Sequence, residues 1–157
     1  MRVFAVLQPD CLESGLVQLA LNKLSDAGFS ISSLKEVQLQ ASDLREIYHK
    51  YFSRNKPFAE KLLQLHCGHH SIIVEMEAPG TVDRREIYSF ITTLKKGTKR
   101  DASSGLRKTL LAENKIRNRI HMPSSARENR ILAGISKRQL DRRNIRLDIY
   151  KQSTWRP

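Results

Sequence analysis

The sequence predicts an α+β fold: a ferredoxin-like (split βαβ) antiparallel sheet covered by helices. Three observations carry this. Apolar strand-like runs and amphipathic helical runs alternate over residues 1–94 in the order β-α-β-α-α-β-α. Each helical run has its apolar positions on one face, so each needs a sheet to pack on. No internal repeat or low-complexity linker breaks the order.

Val3–Leu7 is an apolar run before a Gln-Pro-Asp turn and reads as the first strand. Residues 15–29 place Leu16, Leu19, Ala20 and Leu24 at helical spacing, with Gly28 able to cap the end. Residues 29–40 alternate and read as a strand. Residues 41–52 open with Ser42 as an N-cap and line up Leu44, Ile47, Tyr48 and Tyr51. Residues 56–66 carry Pro57 near the helix start and bury Phe58, Leu62, Leu63 and Leu65. Residues 71–77 are a strand, and Thr81 caps a helix through Ile87, Phe90, Ile91 and Leu94. Residues 95–112 read as a loop. Capping boxes at Ser125/Glu128 and Ser136/Gln139 predict two short basic helices, and residues 145–151 alternate like an edge strand.

Composition excludes several classes. At 157 residues with 39% hydrophobic and 28% charged residues, the chain is globular rather than disordered. No apolar run approaches the roughly 20 residues needed to span a bilayer, and the N-terminal run is a buried strand rather than a signal peptide. Cys11 and Cys67 are too few for a disulfide framework, which points to a reducing compartment. Walker-type, dinucleotide-binding and serine-nucleophile motifs are absent. His66, Cys67, His69 and His70 have metal-binding chemistry, but their spacing is cramped and no second ligand cluster completes a site, so no metal ligand is assigned.

Charge is uneven. Residues 1–100 hold 14 basic and 11 acidic residues, net +3, whereas residues 101–157 hold 14 and 5, net +9. That asymmetry predicts a polyanionic partner for residues 101–157, either RNA or an acidic protein lattice.

The ordered motifs resemble the nucleoside diphosphate kinase family over residues 2–132. FAVLQPD is similar to its first strand and lysine-proline-aspartate turn, with Gln8 in place of the lysine. KPFAEKLLQL and CGHHSIIVEME resemble its proline-phenylalanine helix, following turn and third strand. RNRIH reproduces its arginine-asparagine-x-x-histidine motif. The resemblance implies a kinase-like domain over 1–132 and a basic extension over 133–157. It implies a phosphohistidine at His121, with Glu128 as the best candidate for the acid that orients it. It further implies nucleotide contacts from Gln8, Tyr48, Phe58, Leu62, Thr98, Arg107 or Lys108, and Asn118. Magnesium would accompany bound nucleotide, and a homo-oligomer is implied. Periodicity alone reads Phe58 and Leu62 as core residues instead.

Three departures predict an eroded site. Gln8 cannot neutralise phosphate charge. Met122-Pro123-Ser124 replaces the family's glycine-serine-aspartate, adding bulk and removing an N–H. The family's second loop arginine falls near Thr92, with Lys95, Lys96 and Lys99 as alternative cations. The expectation is a family member acting as a binding component of a large assembly, an organellar (mitochondrial) ribosome or an axonemal microtubule. The alternative is an active, hexameric kinase.

Overall fold

The structure is a computed structural model, and it describes residues 1–97, 105–112 and 118–138. Strand β1 (Arg2–Leu7) leads through a short helix α1 (Pro9–Glu13) to α2 (Val17–Asp26) and β2 (Ser30–Gln38). Helices α3 (Ala41–Ile47), α4 (His49–Arg54) and α5 (Lys56–His66) precede β3 (His70–Glu77). Then follow α6 (Ile87–Lys96), α7 (Leu106–Thr109), β4 (Ile120–His121) and α8 (Ala126–Arg138). The sheet is antiparallel throughout, in the order β2-β3-β1-β4.

Alternation along the strands feeds two cores. Val3, Ala5, Leu7, Ile72, Val74 and Met76 face α2, α6 and α7. Phe4, Val6, Val37 and Ile73 face α3, α5 and α8. The sheet is therefore covered on both sides, and the large side chains it buries are what hold the helices on it.

Local chemistry explains the boundaries. Helix α2 ends in a Schellman turn: Gly28, at φ 87°, donates its N–H to the Ser25 carbonyl (2.8 Å), and Phe29 donates to Leu24 (3.1 Å). Leu19, expected on the buried face of this helix, is exposed, and Val17 and Leu21 are buried instead. Helix α3 is capped two residues before the expected Ser42. Gln40 is the cap residue, its N–H donating to Asp43 Oδ2 at 3.0 Å, and Ser42 lies inside the helix. The single helix expected over 41–52 breaks at Tyr48. Helix α5 is capped by the Asn55 side chain, which accepts the Phe58 N–H at 3.1 Å. The α6–α7 junction requires glycine at 105. A Cβ there would sit 2.3 Å from the Lys96 and Gly97 backbone.

Helix α8 corrects the expected tail. It runs unbroken to Arg138, past the boundary drawn at residue 132. Ser136 is not a second N-cap: it is buried within α8 and its Oγ accepts from Lys35 Nζ at 2.9 Å. Arg138 donates to Asp43 and Glu46, each at 3.1 Å. Asn129, also on α8, accepts the Phe4 N–H and donates to the Arg2 carbonyl, both at 3.0 Å. Its amide thereby stands in for a peptide group where β4 is too short to pair with β1. The expected strand over 145–151 lies outside the described residues.

Candidate active site

The site forms where β1 ends beside β4. Pairing of Val6 with His121 and Leu7 with Ile120, extended by Gln8 N–H to the Arg119 carbonyl at 2.9 Å, sets Gln8 next to His121. Two residues of strand cannot hold that register alone. Arg119 supplies the rest. It sits at φ 66°, unfavourable for a side-chain-bearing residue, and is held there by Asp10 and Ser14. Its backbone N–H donates to Asp10 Oδ2 at 3.2 Å, its Nε lies 3.7 Å from the same oxygen, and its guanidinium reaches Ser14 Oγ at 2.5 Å. The guanidinium also donates to the Asp10 carbonyl. Burial raises the Asp10 carboxyl pKa, and the Arg119 N–H and charge work against that rise. Cys11, beside this pair, has its thiol pushed up to about 12 by burial.

His121 is nine-tenths buried. The Tyr48 ring meets it edge-on, with centroids 4.9 Å apart at 67°. Burial first, and then the charges of Lys95, Arg107 and His66, lower its pKa to about 3. The imidazole is therefore neutral at pH 7, with a lone pair available. Lys95, from the last turn of α6, donates from Nζ to the Met122 carbonyl at 2.8 Å. Burial and the neighbouring Arg107 lower its pKa to about 8. Arg107, on α7, is lowered by burial, and Tyr48 and Tyr51 counter this. Its buried Nε has no hydrogen-bond partner among the described residues. A neutral imidazole flanked by two desolvated cations is an arrangement that attracts an anion.

The remaining expected residues sort themselves. Gln8 is buried and donates from Nε2 to Tyr48 Oη at 2.6 Å. Asn118 is buried at the turn into β4, its carbonyl accepting the Ile120 N–H at 2.7 Å. Arg107, rather than exposed Lys108, is the cation beside His121. Phe58 is half-buried and packs on Tyr51 (centroids 4.6 Å, 31°), forming an aromatic ledge near Arg107. Leu62 is a correction: at 1% exposure it belongs to the core, as periodicity alone suggests, and offers no contact surface. Thr98 and Lys99 lie outside the described residues.

Glu128 is a second correction. Its Oε2 accepts the Ser124 N–H at 2.7 Å and the Ser124 hydroxyl at 2.9 Å, while its own N–H goes to Ser125 Oγ at 3.2 Å. It caps α8 rather than orienting His121, whose Nε2 is buried without a partner among the described residues. Met122 is a third. Its side chain turns to the opposite face of the sheet from His121 and is fully buried in the core with Leu7 and Ile120, so its bulk does not enter the site. Thr92 supplies no charge. Its hydroxyl donates to the Tyr88 carbonyl at 2.8 Å, and Lys95 takes the cationic position beside His121. The 65–71 segment divides, His66 turning inward toward His121 and His70 pairing outward with Glu36. Among the described residues no group of three or more His, Cys, Asp or Glu could hold a metal ion.

Fold and site together set a buried, neutral histidine beside two cations at one end of a four-stranded antiparallel sheet. The nucleoside diphosphate kinase family model matches residues 1–135. The nucleoside diphosphate kinase of Prosthecochloris aestuarii is 27% identical over 133 residues, covering 85% of this chain and 89% of that protein. The Chloroherpeton thalassium protein of the same name is 26% identical over 133 residues, covering 85% and 89%. Two solved structures share the fold. The Aquifex aeolicus nucleoside diphosphate kinase has a TM-score of 0.69 at 18% identity, covering 86% of this chain and 93% of that one. A Borrelia burgdorferi nucleoside diphosphate kinase, solved as a transition-state mimic with vanadate and ADP, gives 0.70 at 13% identity, covering 93% and 92%. The chain belongs to the nucleoside diphosphate kinase family.

Proposed function

We propose that this chain binds nucleoside di- and triphosphates at His121 and transfers phosphate slowly, so that binding outweighs turnover. One observation carries this reading. Gln8, where the family's lysine belongs, gives its amide to Tyr48 Oη at 2.6 Å, leaving Lys95 and Arg107 as the described cations beside His121. The chemistry needs an imidazole nitrogen to attack the γ-phosphorus, forming the N–P bond as the bond to the β-phosphate oxygen breaks. Reversal on a second diphosphate completes the cycle. His121 supplies the neutral nucleophile, Lys95 and Arg107 hold the phosphate oxygens, and the Tyr51–Phe58 pair offers the base a stacking face. Among the described residues no carboxylate cluster could hold a metal, so magnesium would be brought by the nucleotide and would supply positive charge at its phosphates. A missing cation in such a site typically lowers the rate roughly 10²–10³-fold.

Incubation with γ-labelled nucleoside triphosphate and magnesium should give slow, acid-labile labelling that disappears in His121→Ala. Stoichiometric labelling within seconds would overturn the attenuated reading. Binding without any labelling after hours would overturn transfer altogether.

A second proposal rests on the net +9 of residues 101–157. This half would dock the protein on a polyanionic assembly, an organellar ribosome or an axonemal lattice, through salt-sensitive contacts in which Trp155 is an anchor. Because α8 is integral to the domain, the informative truncation is after Arg138, not after Leu132. That truncation should leave the domain folded and weaken binding to RNA or to acidic polypeptide steeply in low salt. Unchanged binding would remove the tail as the attachment point.

A further inference from the structure

Behind His121, on the side away from the two cations' helices, lies a narrow cavity of about 10 Å³, room for one water. Val6, Gln8, Leu39, Leu44, Ile47, Tyr48, His66, Ser71 and His121 line it. Apolar walls would be ordinary in this core, but several of its side chains are polar. Gln8 Oε1, Ser71 Oγ and His121 Nε2 are all buried and all lack a hydrogen-bond partner among the described residues. Gln8, Ser71 and His121 are 4%, 0% and 9% exposed. Ser71 faces this cavity from β3, on the same side of the sheet as Ile73 and Val6. Buried polar atoms in folded proteins are nearly always satisfied, by protein or by ordered water. Three residues that each carry such an atom line one water-sized space, which indicates what satisfies them.

We propose that Ser71 and Gln8 hold a single buried water against His121 Nε2, and that this water orients the histidine in place of a carboxylate. The reading of the site as a slow phosphoryl acceptor supplies its functional meaning; the water site itself rests on the cavity and its three polar atoms. The bonding balances. Nε2–H donates to the water oxygen, and the water donates its two protons to Gln8 Oε1 and Ser71 Oγ, while Gln8 Nε2 remains on Tyr48 Oη. This fixes the ring in the tautomer with the proton on Nε2. The Nδ1 lone pair then faces outward, toward the phosphate. Ser71 is thus a positioning residue, acting through the water and the ring. Nothing in the sequence marks it, because a serine at the start of a buried strand carries no motif.

The test separates the water site from the kinase reading. Long-range ¹H–¹⁵N correlation on the full chain reads the His121 tautomer directly, without nucleotide. Wild-type protein should show protonated Nε2 with a slowly exchanging proton. Ser71→Val, which fills the cavity with methyl groups, and Ser71→Ala, which removes the hydroxyl, should both lose that signature. Ser71→Thr, which keeps a hydroxyl, should retain it. Labelling from γ-labelled triphosphate should fall about tenfold or more in the first two, with nucleotide affinity unchanged, as expected when a ring tautomer is lost. A wild-type His121 protonated on Nδ1, or a signature unchanged in Ser71→Ala, overturns the proposal even if all variants are labelled. A crystal structure of the wild type with ordered density within hydrogen-bond reach of all three atoms supports it, and a dry cavity overturns it. If the tautomer behaves as stated but nothing is labelled, the water site stands and the phosphotransfer reading falls.

Discussion

Lowering the pH from 6.5 toward 3 is expected to remove on the order of 3–5 kcal/mol of folding stability through His121 alone, and His121→Gln is expected to abolish most of that loss. The folded pKa, about 3, lies below the ordinary 6.5 because burial disfavours the imidazolium. The unfolded chain therefore takes up the proton first. Stability from this group is complete above pH 6.5, declines as pH falls through the interval, and levels off below 3. Lys95, Arg107 and His66 all face the ring and reinforce the shift. Asp10 works the other way: its raised folded pKa means that protonating it favours the folded state, which partly offsets the decline. Urea unfolding measured between pH 3 and 7 on wild type and His121→Gln reads the difference. Parallel pH profiles would show that His121 is not held neutral by burial.

That a neutral, buried imidazole lay at this position was half legible in the sequence. The arginine-asparagine-x-x-histidine motif and its order relative to the proline-phenylalanine helix marked His121, Asn118 and the region of Arg107. Tyr48 was visible on its helix face, and the structure sets its ring on the imidazole. What the sequence could not carry was geometry made by non-local contacts. Strand β4 is two residues long, too short for any period to register, and it exists because Asp10 and Ser14 hold Arg119 more than 100 residues away in sequence. The signal for α1 is in the Gln-Pro-Asp that reads as a turn: Pro9 starts a helical turn, since proline at the first helical position loses no hydrogen bond.

The same limit explains the corrected site residues. The resemblance places Leu62 and Met122 at functional positions of the family, yet side-chain direction decides their fate. One points into the core from α5, the other through the sheet to its far face. Glu128 has the spacing of an orienting acid and equally the spacing of a capping residue, and the short link from β4 to α8 leaves it on Ser124. Lys95 was one of three lysines in a basic run. Helical phase selects it: Ile87, Ile91 and Lys95 lie on one stripe of α6, so the lysine that continues an apolar stripe is the one driven inward.

Replacing Gln8 by lysine is expected to raise the rate of phosphohistidine formation by about 10². Gln8 sits beside the ring, buried, with its amide nitrogen 2.6 Å from Tyr48 Oη. That hydroxyl stays protonated, because burial raises its pKa, and it can accept a hydrogen bond from an ammonium as it does from the amide. The new charge would join Lys95 and Arg107, both already desolvated. In the free protein a third buried cation is repulsive, so thermal stability should drop, on the order of 1–3 kcal/mol. A nucleoside triphosphate carries several negative charges and reverses that balance, so bound nucleotide should restore more stability to Gln8→Lys than to wild type. The gain should be largest where charge develops in the transition state, raising the labelling rate more than the affinity. The substitution also removes Gln8 Oε1 from the cavity behind His121, which works against the gain. Thermal shift with and without triphosphate, together with single-turnover labelling, reads all three effects. If stability falls while neither affinity nor rate rises, the missing lysine is not what limits the site, and the backbone N–H that Pro123 lacks becomes the deficiency to repair.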